Sequence, residues 1–411
     1  MFMPRPDISP KPARADRLQV AVIGTGFVGP HHVDAARRTG YADVVAIAGT
    51  DRERTAARAK QLGVGIHTTD IARLVGDADI DVIHVCTPNR THVELATAVL
   101  QAGKHLVLEK PVAIDSATGQ VLVELARTRR LHGLVTFTYR GYPMVQRARQ
   151  LVADGMLGVP RLIHGGYLQD WLARATDFNW RVLQADGGPS RAVADIGSHW
   201  FDLAEFVSGR RVEAVLADLA RFMDVRHRRI SDTATFSSSA GDETEAVAVT
   251  TEDAATVLLR FEGGARGACV FSQISVGRKN RLTLEIAGSD RSLAWDQEAP
   301  EHVWLASREH AQSWGREAVE TSRGIPSLPA GHPEGWSEAL RDVMRPFYVA
   351  IHDGQALPSD SPPAYPTLAD GVRAIHFAEA ALTSAQQGGW VAMPPVQSAI
   401  SPTTSVTAMG A

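Results

Sequence analysis

The feature that most constrains the fold of this chain is an alternation of short β-branched apolar runs with longer amphipathic stretches in its first third. The strand candidates are residues 19–23, 44–48, 82–86, 105–108 and 134–137. Helical patterns fill the intervals at residues 28–39, 52–62, 91–102 and 116–130. Such strand–helix alternation predicts an α/β domain in which helices cover both faces of a doubly wound parallel sheet.

From about residue 161 the apolar pattern changes to a period of two. The clearest stretches are residues 255–261, 266–272 and 282–287, and Glu-Gly-Gly at 262–264 marks a hairpin turn. A final amphipathic helix is predicted at residues 368–386. Several strands without intervening helices predict an α+β domain with a large, mostly antiparallel open sheet that is covered on one face.

These patterns divide the 411 residues into two domains and two tails. We expect a disordered N-terminal extension at residues 1–17, an α/β domain of the nucleotide-binding type at 18–138, an α+β domain at 139–393, and a disordered tail at 394–411.

Composition excludes several classes of function. The net charge of −4 gives no reason to expect nucleic acid or an anionic membrane surface as a partner. The two cysteines, Cys86 and Cys269, are far apart, which argues against a disulfide framework or a cysteine-based zinc site. The sequence shows neither a signal-peptide pattern nor a run of about 18 apolar residues, so we expect a cytoplasmic protein.

A glycine-rich loop follows the first predicted strand and opens the first predicted helix. In this context GxGxxG predicts a Rossmann dinucleotide site, although an ordinary strand–helix turn is the alternative. Gly24 would permit the tight turn, Gly26 would let the backbone approach a pyrophosphate, and Gly29 would let the helix pack closely on the strand. With Phe27 and Val28, these residues form the predicted cofactor loop, whose helix start attracts phosphate.

The choice between NAD and NADP stays open. The acidic residue that binds the ribose is expected about 20 residues beyond the loop, and Gly49 stands at that position. Asp51 could still reach the ribose, whereas Thr50, Arg52 or Arg54 could accommodate a 2′-phosphate. Alternatively, Asp51 caps the second helix, which Arg52 begins.

Several further motifs occur in a fixed order along the chain. They are His32 after the loop, CTPNRTH at 86–92, EKP at 109–111, GG at 187–188, DIGSHWFD at 195–202, IAGS at 286–289 and HPEGW at 332–336. Together with the loop they resemble the glucose–fructose oxidoreductase/inositol dehydrogenase (Gfo/Idh/MocA) family, over roughly residues 18–393.

The resemblance implies an NAD(P)-dependent dehydrogenase that oxidises a secondary hydroxyl of a sugar, glycoside or cyclitol. It also implies a homo-oligomer, dimer or tetramer, joined through the open sheet. By motif match, the residues on the nicotinamide side would be Thr87, Pro88, Asn89, His92 and Glu109. Gly49 departs from the Asp that many NAD-dependent members carry.

Hydride transfer from a carbinol needs a proton acceptor and a charge that stabilises the alkoxide. Within the motifs, Lys110 is predicted to stabilise the alkoxide and to relay its proton, His199 to act as general base, and Asp195 to orient the imidazole. Asp195 and His199, four residues apart, would share a helix face that Asp202 extends. The alternatives are a surface lysine and a structural Asp–His bond; the chemistry requires no metal.

The same residues, Lys110, Asp195 and His199, are predicted to contact substrate. Trp171 and Trp180 could stack on a pyranose ring, while Arg140, Asp170 or Arg181 could bind its hydroxyls, and His332 is a further candidate. Packing in the core or on the surface is the alternative for each of these residues.

Two other functions fit the same sequence. A cofactor-retaining enzyme could oxidise a glycoside transiently and cleave it by elimination, without net turnover of NAD. A cofactor-sensing regulator is disfavoured because a sensor would not need Lys110, Asp195 and His199 together.

Overall fold

The computed structural model describes residues 17–229, 244–316, 328–357 and 363–394. The extension and the tail predicted to be disordered lie outside these ranges, except for Arg17 and Pro394.

The first sheet consists of six parallel strands. They are β1 Leu18–Ile23, β2 Ala42–Ala48, β3 Ile66–Thr68, β4 Val82–Val85, β5 His105–Leu108 and β6 Gly133–Val135. The helices between them are α1 Val28–Arg38, α2 Arg52–Leu62, α3 Ile71–Gly76, α4 His92–Gln101 and α5 Ser116–Arg129. The strand order β3-β2-β1-β4-β5-β6 confirms the predicted Rossmann domain.

Alternate residues of β1 face opposite cores, as expected for a strand covered on both sides. Val20 and Val22 belong to one apolar core, and Ala21 and Ile23 to the other. The predicted element bounds agree with the structure to within two residues, but β3 and α3 were not predicted. β3 has three residues and is largely exposed, so it lacks a readable apolar pattern.

The second sheet has nine strands. They are β7 Leu162–Leu168, β8 Val212–Ala220, β11 Ala254–Phe261, β12 Arg266–Ser272, β13 Arg281–Ala287, β14 Ser292–Asp296, β15 His302–Ala306, β16 Ala311–Gly315 and β17 Val391–Ala392. A separate hairpin is formed by β9 Val225–Arg229 and β10 Thr244–Ala248. The order is β16-β15-β14-β13-β7-β12-β11-β8-β17, with β7 and β12 parallel and the other neighbours antiparallel. This confirms the predicted large, mostly antiparallel sheet.

The remaining helices are α6 Pro143–Ala153, α7 Gln184–Gly187, α8 Ser198–Ser208, α9 Trp336–His352 and α10 Leu368–Gln387. Helices α6, α8 and α10 cover one face of the second sheet. Phe201 of α8 stacks on Phe377 of α10 with ring centroids 4.6 Å apart. The helix α8 continues a π-helical turn, Val193–Gly197, that presents Asp195 to the region between the domains.

Helix α9 returns to the first domain, which the sequence patterns did not predict. Its apolar residues Leu340, Val343 and Phe347 share a buried core with Val20 and Val22 of β1. The second half of the chain therefore supplies part of the cover of the parallel sheet.

Candidate active site

A cleft of about 760 Å³ lies where the parallel strands end, between the two domains. Its first wall is the glycine loop. Gly24 has a φ of +113°, and a Cβ there would overlap the carbonyl group of Cys86. A Cβ on Gly29 would overlap the Gly24 carbonyl, so Gly29 allows α1 to start close to the strand.

The loop leaves room for a ligand where the sequence predicts the pyrophosphate. Gly26 lines the cleft, and a Cβ on it would meet nothing within 4 Å. Phe27 and Val28 line the same wall. The N-cap residue of α1 makes no side-chain cap hydrogen bond, and the N–H groups in the first turn of a helix attract an anion. These residues fit a bound dinucleotide.

The structure corrects the prediction for the adenosine end. Gly49 and Thr50 line the cleft, whereas Asp51 and Arg52 do not. The carboxylate of Asp51 caps α2 by accepting a hydrogen bond of 2.7 Å from the backbone N–H of Arg54. A Cβ on Gly49 would overlap a neighbouring threonine hydroxyl, so an acidic residue does not fit there without a shift.

Residues on the predicted nicotinamide side divide into two groups. Thr87, Pro88 and Asn89 line the cleft, as expected. His92 is fully buried instead, with Nδ1 2.7 Å from the carbonyl oxygen of Pro111 and Nε2 2.8 Å from that of Thr87. It does not line the cleft; it braces the segments that do.

Glu109 brings a negative charge to this part of the cleft. Its Oε1 lies 2.9 Å from His32 Nε2 and accepts a hydrogen bond of 2.5 Å from Thr136 Oγ1. Burial alone would raise the pKa of Glu109, but the bonds from His32 and Thr136 and the charge of Lys110 lower it to about 2. The carboxylate is therefore ionised at neutral pH.

Lys110 and Asp195 form an ion pair across the domain boundary. Lys110 Nζ donates hydrogen bonds to Asp195 Oδ1 (2.6 Å) and to its backbone oxygen (2.7 Å). Gln273 Nε2 donates to Asp195 Oδ2 (2.8 Å), and Arg181 Nε lies 3.4 Å from Oδ1. Burial opposes ionisation of Asp195, but the charges of Lys110 and Arg181 hold its pKa well below its usual value.

His199 lies beside this pair on the first turn of α8 and lines the cleft. Its ring packs edge-on against Tyr139, with centroids 5.0 Å apart. The expected hydrogen bond from the His199 ring to Asp195 is not formed; the Asp195 carboxylate accepts from Lys110 and Gln273 instead. Among the described residues, His199 Nδ1 has no hydrogen-bond partner.

Burial, followed by the charge of Lys110, lowers the pKa of His199 to about 3. The imidazole is therefore neutral at neutral pH, and a neutral imidazole can accept the proton of a hydroxyl group. The structure thus brings the three predicted catalytic residues together, but it pairs Asp195 with the lysine rather than with the histidine.

Trp171, Trp180 and Arg181, which the sequence predicts to contact substrate, line the half of the cleft that lies away from the glycine loop. The guanidinium of Arg181 lies over the Trp180 ring, 4.4 Å from its centroid. Trp171 Nε1 donates a 2.8 Å hydrogen bond to Gln169 Oε1, which fixes the orientation of the indole.

A network of phenols and amides also lines this half, and sequence reasoning gave it no role. The hydroxyls of Tyr139 and Tyr167 are hydrogen-bonded to each other. Tyr167 donates to Asn280 Oδ1 (2.5 Å), Asn280 Nδ2 donates to Tyr139 (3.2 Å), and Gln169 Nε2 donates to Asn280 Oδ1 (2.8 Å). The wall is polar and uncharged, which suits hydroxyl groups.

Two family models match this chain. Residues 18–137 match the family described as "Oxidoreductase family, NAD-binding Rossmann fold", and residues 145–294 match the "GFO/IDH/MocA C-terminal domain". The chain belongs to the Gfo/Idh/MocA oxidoreductase family. This confirms the family and the enzyme class expected from the motifs.

Relatives in the family match almost the whole chain. Levoglucosan dehydrogenase of Pseudarthrobacter phenanthrenivorans is 28% identical over 398 residues, covering 92% of this chain and 99% of that protein. The crystal structure of an oxidoreductase domain protein from Kribbella flavida is 31% identical, with a TM-score of 0.83 over 92% of this chain and 100% of that one. A structure of levoglucosan dehydrogenase in complex with NADH and L-sorbose is 27% identical, with a TM-score of 0.84 and the same coverage.

Two predicted substrate residues of this Gfo/Idh/MocA chain lie outside the cleft. Arg140 does not line the cleft; its guanidinium binds both carboxylate oxygens of Asp202 and lies 3.2 Å from Asp370. Burial raises the pKa of Asp202 to about 6 although Arg140 opposes that shift. The carboxylates of Asp202 and Asp370 lie close together and require a cation, and Arg140 supplies that cation inside the second domain. His332 is exposed and also lies outside the cleft.

Two further findings apply to the described ranges. Within them no three His, Cys, Asp or Glu side chains are grouped so that they could hold a metal ion. No helix there is long and apolar enough to cross a membrane.

Proposed function

We propose that this chain oxidises a secondary ring hydroxyl of a neutral sugar, glycoside or cyclitol, with NAD as the hydride acceptor. The observation that carries the proposal is the meeting of Lys110, Asp195 and His199 where the cofactor half of the cleft joins the half lined by Trp171 and Trp180. The relatives support the substrate class, since one is a levoglucosan dehydrogenase and another an inositol 2-dehydrogenase.

The charges that face the cleft favour an uncharged substrate. The ionic side chains lining it are Glu109, Lys110, Asp170, Arg181, Asp195 and Lys279. Lys110 is paired with Asp195, and Lys279 Nζ lies 2.7 Å from Asp170 Oδ2. Because cations and carboxylates balance, a phosphate or carboxylate substrate would have to displace an existing pair.

The bound dinucleotide supplies the acceptor for the hydride. His199, which is neutral at neutral pH and lines the cleft, accepts the hydroxyl proton as the hydride leaves. Lys110 stabilises the oxygen as negative charge develops on it. Asp195 holds the ammonium of Lys110 in place through its carboxylate and its backbone oxygen.

For the cofactor, NAD is supported by the NADH bound in a similar structure and by the NAD-binding family model. The test is a screen of levoglucosan, inositols and simple pyranosides with NAD⁺ and with NADP⁺, against uronates and sugar phosphates as charged controls. Oxidation of a neutral member with net NADH formation is expected. Turnover of the charged set alone would contradict the proposal, and cleaved glycoside at substoichiometric cofactor would indicate transient oxidation instead.

We also propose that the open face of the second sheet joins copies of this chain. Leu162, Leu258 and Val270 lie on that face and are each more than 40% exposed. Light scattering should show a dimer or tetramer that Val270→Glu dissociates. A monomeric wild-type protein at micromolar concentration would refute this.

A further inference from the structure

A line of buried polar side chains runs from the cleft through the first domain to α9. Glu109 Oε1 lies 2.9 Å from His32 Nε2, His32 Nδ1 lies 3.1 Å from His84 Nδ1, and His84 Nε2 lies 2.5 Å from the hydroxyl of Tyr348. His32, His84 and Tyr348 are completely buried. The line therefore joins a cleft residue to a helix near the end of the chain.

The donor and the acceptor in each hydrogen bond of this line can be assigned by starting from Glu109. Glu109 is ionised and can only accept, so His32 Nε2 donates to it. In the tautomer of His32 that donates from Nε2, Nδ1 accepts, which makes His84 Nδ1 a donor and His84 Nε2 an acceptor. Burial lowers the pKa of His84 well below its usual value, in agreement with a neutral ring. Tyr348 must then donate the last proton.

We propose that His32, His84 and Tyr348 are positioning residues that hold the Glu109 carboxylate ionised and directed toward the nicotinamide side of the cleft. A fixed negative charge there stabilises the positively charged oxidised nicotinamide more than the neutral reduced ring. The line thus favours binding of NAD⁺ over NADH. This inference rests on the proposed function and on the nicotinamide side that the motifs imply, which Thr87 and Glu109 line.

The chemistry of the line supports positioning rather than proton export. Its three inner members are shielded from water, so no member beyond Glu109 offers a route to solvent. A buried polar group destabilises the folded state unless its hydrogen bonds are all made. In this line, the donor and acceptor roles in each hydrogen bond depend on those in the next one. Loss of the Tyr348 hydroxyl would free His84 to change tautomer and would release His32 from its donor.

The molecule offers a matched control. Tyr365 lies 2.6 Å from Nδ1 of the buried His132, whose Nε2 lies 2.9 Å from the backbone oxygen of Gln355. Both tyrosines pack edge-on against Phe347. The Tyr365–His132 pair resembles the Tyr348–His84 pair in burial and bonding but has no link to Glu109.

The experiment measures the dissociation constants of NAD⁺ and NADH by calorimetric titration of the full chain. Glu109→Gln is expected to reduce the preference for NAD⁺ by about a hundredfold, the size of effect that one unit charge exerts over about 6 Å at an effective dielectric constant of about 20. Tyr348→Phe and His32→Phe are expected to reduce it by about threefold or more, as loss of a networked bond does. Tyr365→Phe should leave the ratio unchanged.

If Glu109→Gln shifts the ratio and Tyr348→Phe does not, the inner residues are merely structural and the inference fails. If Glu109→Gln leaves the ratio unchanged, the carboxylate does not face the nicotinamide, and the inference fails as well. Absence of binding of either nucleotide to the wild-type chain would instead overturn the proposed cofactor site. The wild-type protein gives an independent test by ¹⁵N NMR: His32 should be protonated at Nε2 and His84 at Nδ1, and protonation of His84 at Nε2 would refute the assignment.

Discussion

Replacing Lys110 with methionine removes the ammonium group but keeps a side chain of similar length. The lost Nζ donates bonds of 2.6 and 2.7 Å to Asp195, which keeps its bond from Gln273 and its ion pair with Arg181. The carboxylate therefore stays in place while the charge that would stabilise the alkoxide is lost. Loss of one such donor costs about 10²–10³ in kcat, or roughly 3–4 kcal/mol in the barrier.

A second effect follows from the same substitution. Burial is the largest cause that lowers the pKa of His199, and the charge of Lys110 is the second. In Lys110→Met the pKa of His199 should rise from about 3 toward its ordinary value. The histidine is then protonated at a higher pH than in the wild type, so the residual oxidation rate should begin to fall at a higher pH than the wild-type rate does.

Single-turnover hydride transfer at saturating NAD⁺ and substrate measures the first effect, and NMR titration of the imidazole measures the second. Lys104→Met is the matched control, since Lys104 Nζ also donates two short bonds, to the carbonyls of Asp77 (2.6 Å) and Ile80 (2.7 Å), outside the cleft. It should lose stability but not the rate of hydride transfer. If Lys110→Met transfers hydride at the wild-type rate, the alkoxide is stabilised by another group.

Three further predictions concern the cofactor loop, the cofactor choice and the base. Gly26→Val should keep the fold, since a Cβ there meets nothing within 4 Å, but should strongly weaken dinucleotide binding; wild-type affinity by calorimetry would refute the phosphate site. Asp51→Ser should leave the NADP/NAD ratio of kcat/KM unchanged, because Asp51 caps α2 and serine also caps; an increased ratio would place its carboxylate at the ribose. His199→Ala should reduce hydride transfer by about 10²–10⁴. The wild-type kcat/KM should show no loss of rate from His199 protonation between about pH 8 and 5, because the pKa of about 3 keeps the imidazole neutral; an inflection abolished by His199→Ala would contradict this.

The sequence predicted the fold best where each element carries its own periodic signal. The helix Arg52–Leu62 and the strand His105–Leu108 were predicted with the bounds observed, because a cap or an apolar run marks their ends. Helix α9 was not predicted. It contains Pro346, and its apolar face matches a sheet surface that lies far away in the sequence.

The site residues also divide into those that carry a local sequence signal and those that do not. Lys110, Asp195 and His199 were predicted because they stand in contiguous motifs at strand or helix ends. Asn280 and Tyr167 carry no local signal, since they meet only through the pairing of β7 with β13. Arg140 was assigned wrongly because a sequence shows a charge but not its partner, and Asp202 binds it inside the domain.

The return of α9 to the parallel sheet has a consequence for synthesis of the protein. The ribosome completes all six strands of the first sheet long before it delivers residues 336–352. Until then, the side chains of Val20, Val22, Val82 and Val107 lack the part of their apolar core that this helix supplies. Apolar surface that is left uncovered in a nascent chain favours aggregation. A polypeptide that terminates before residue 336 keeps that surface exposed.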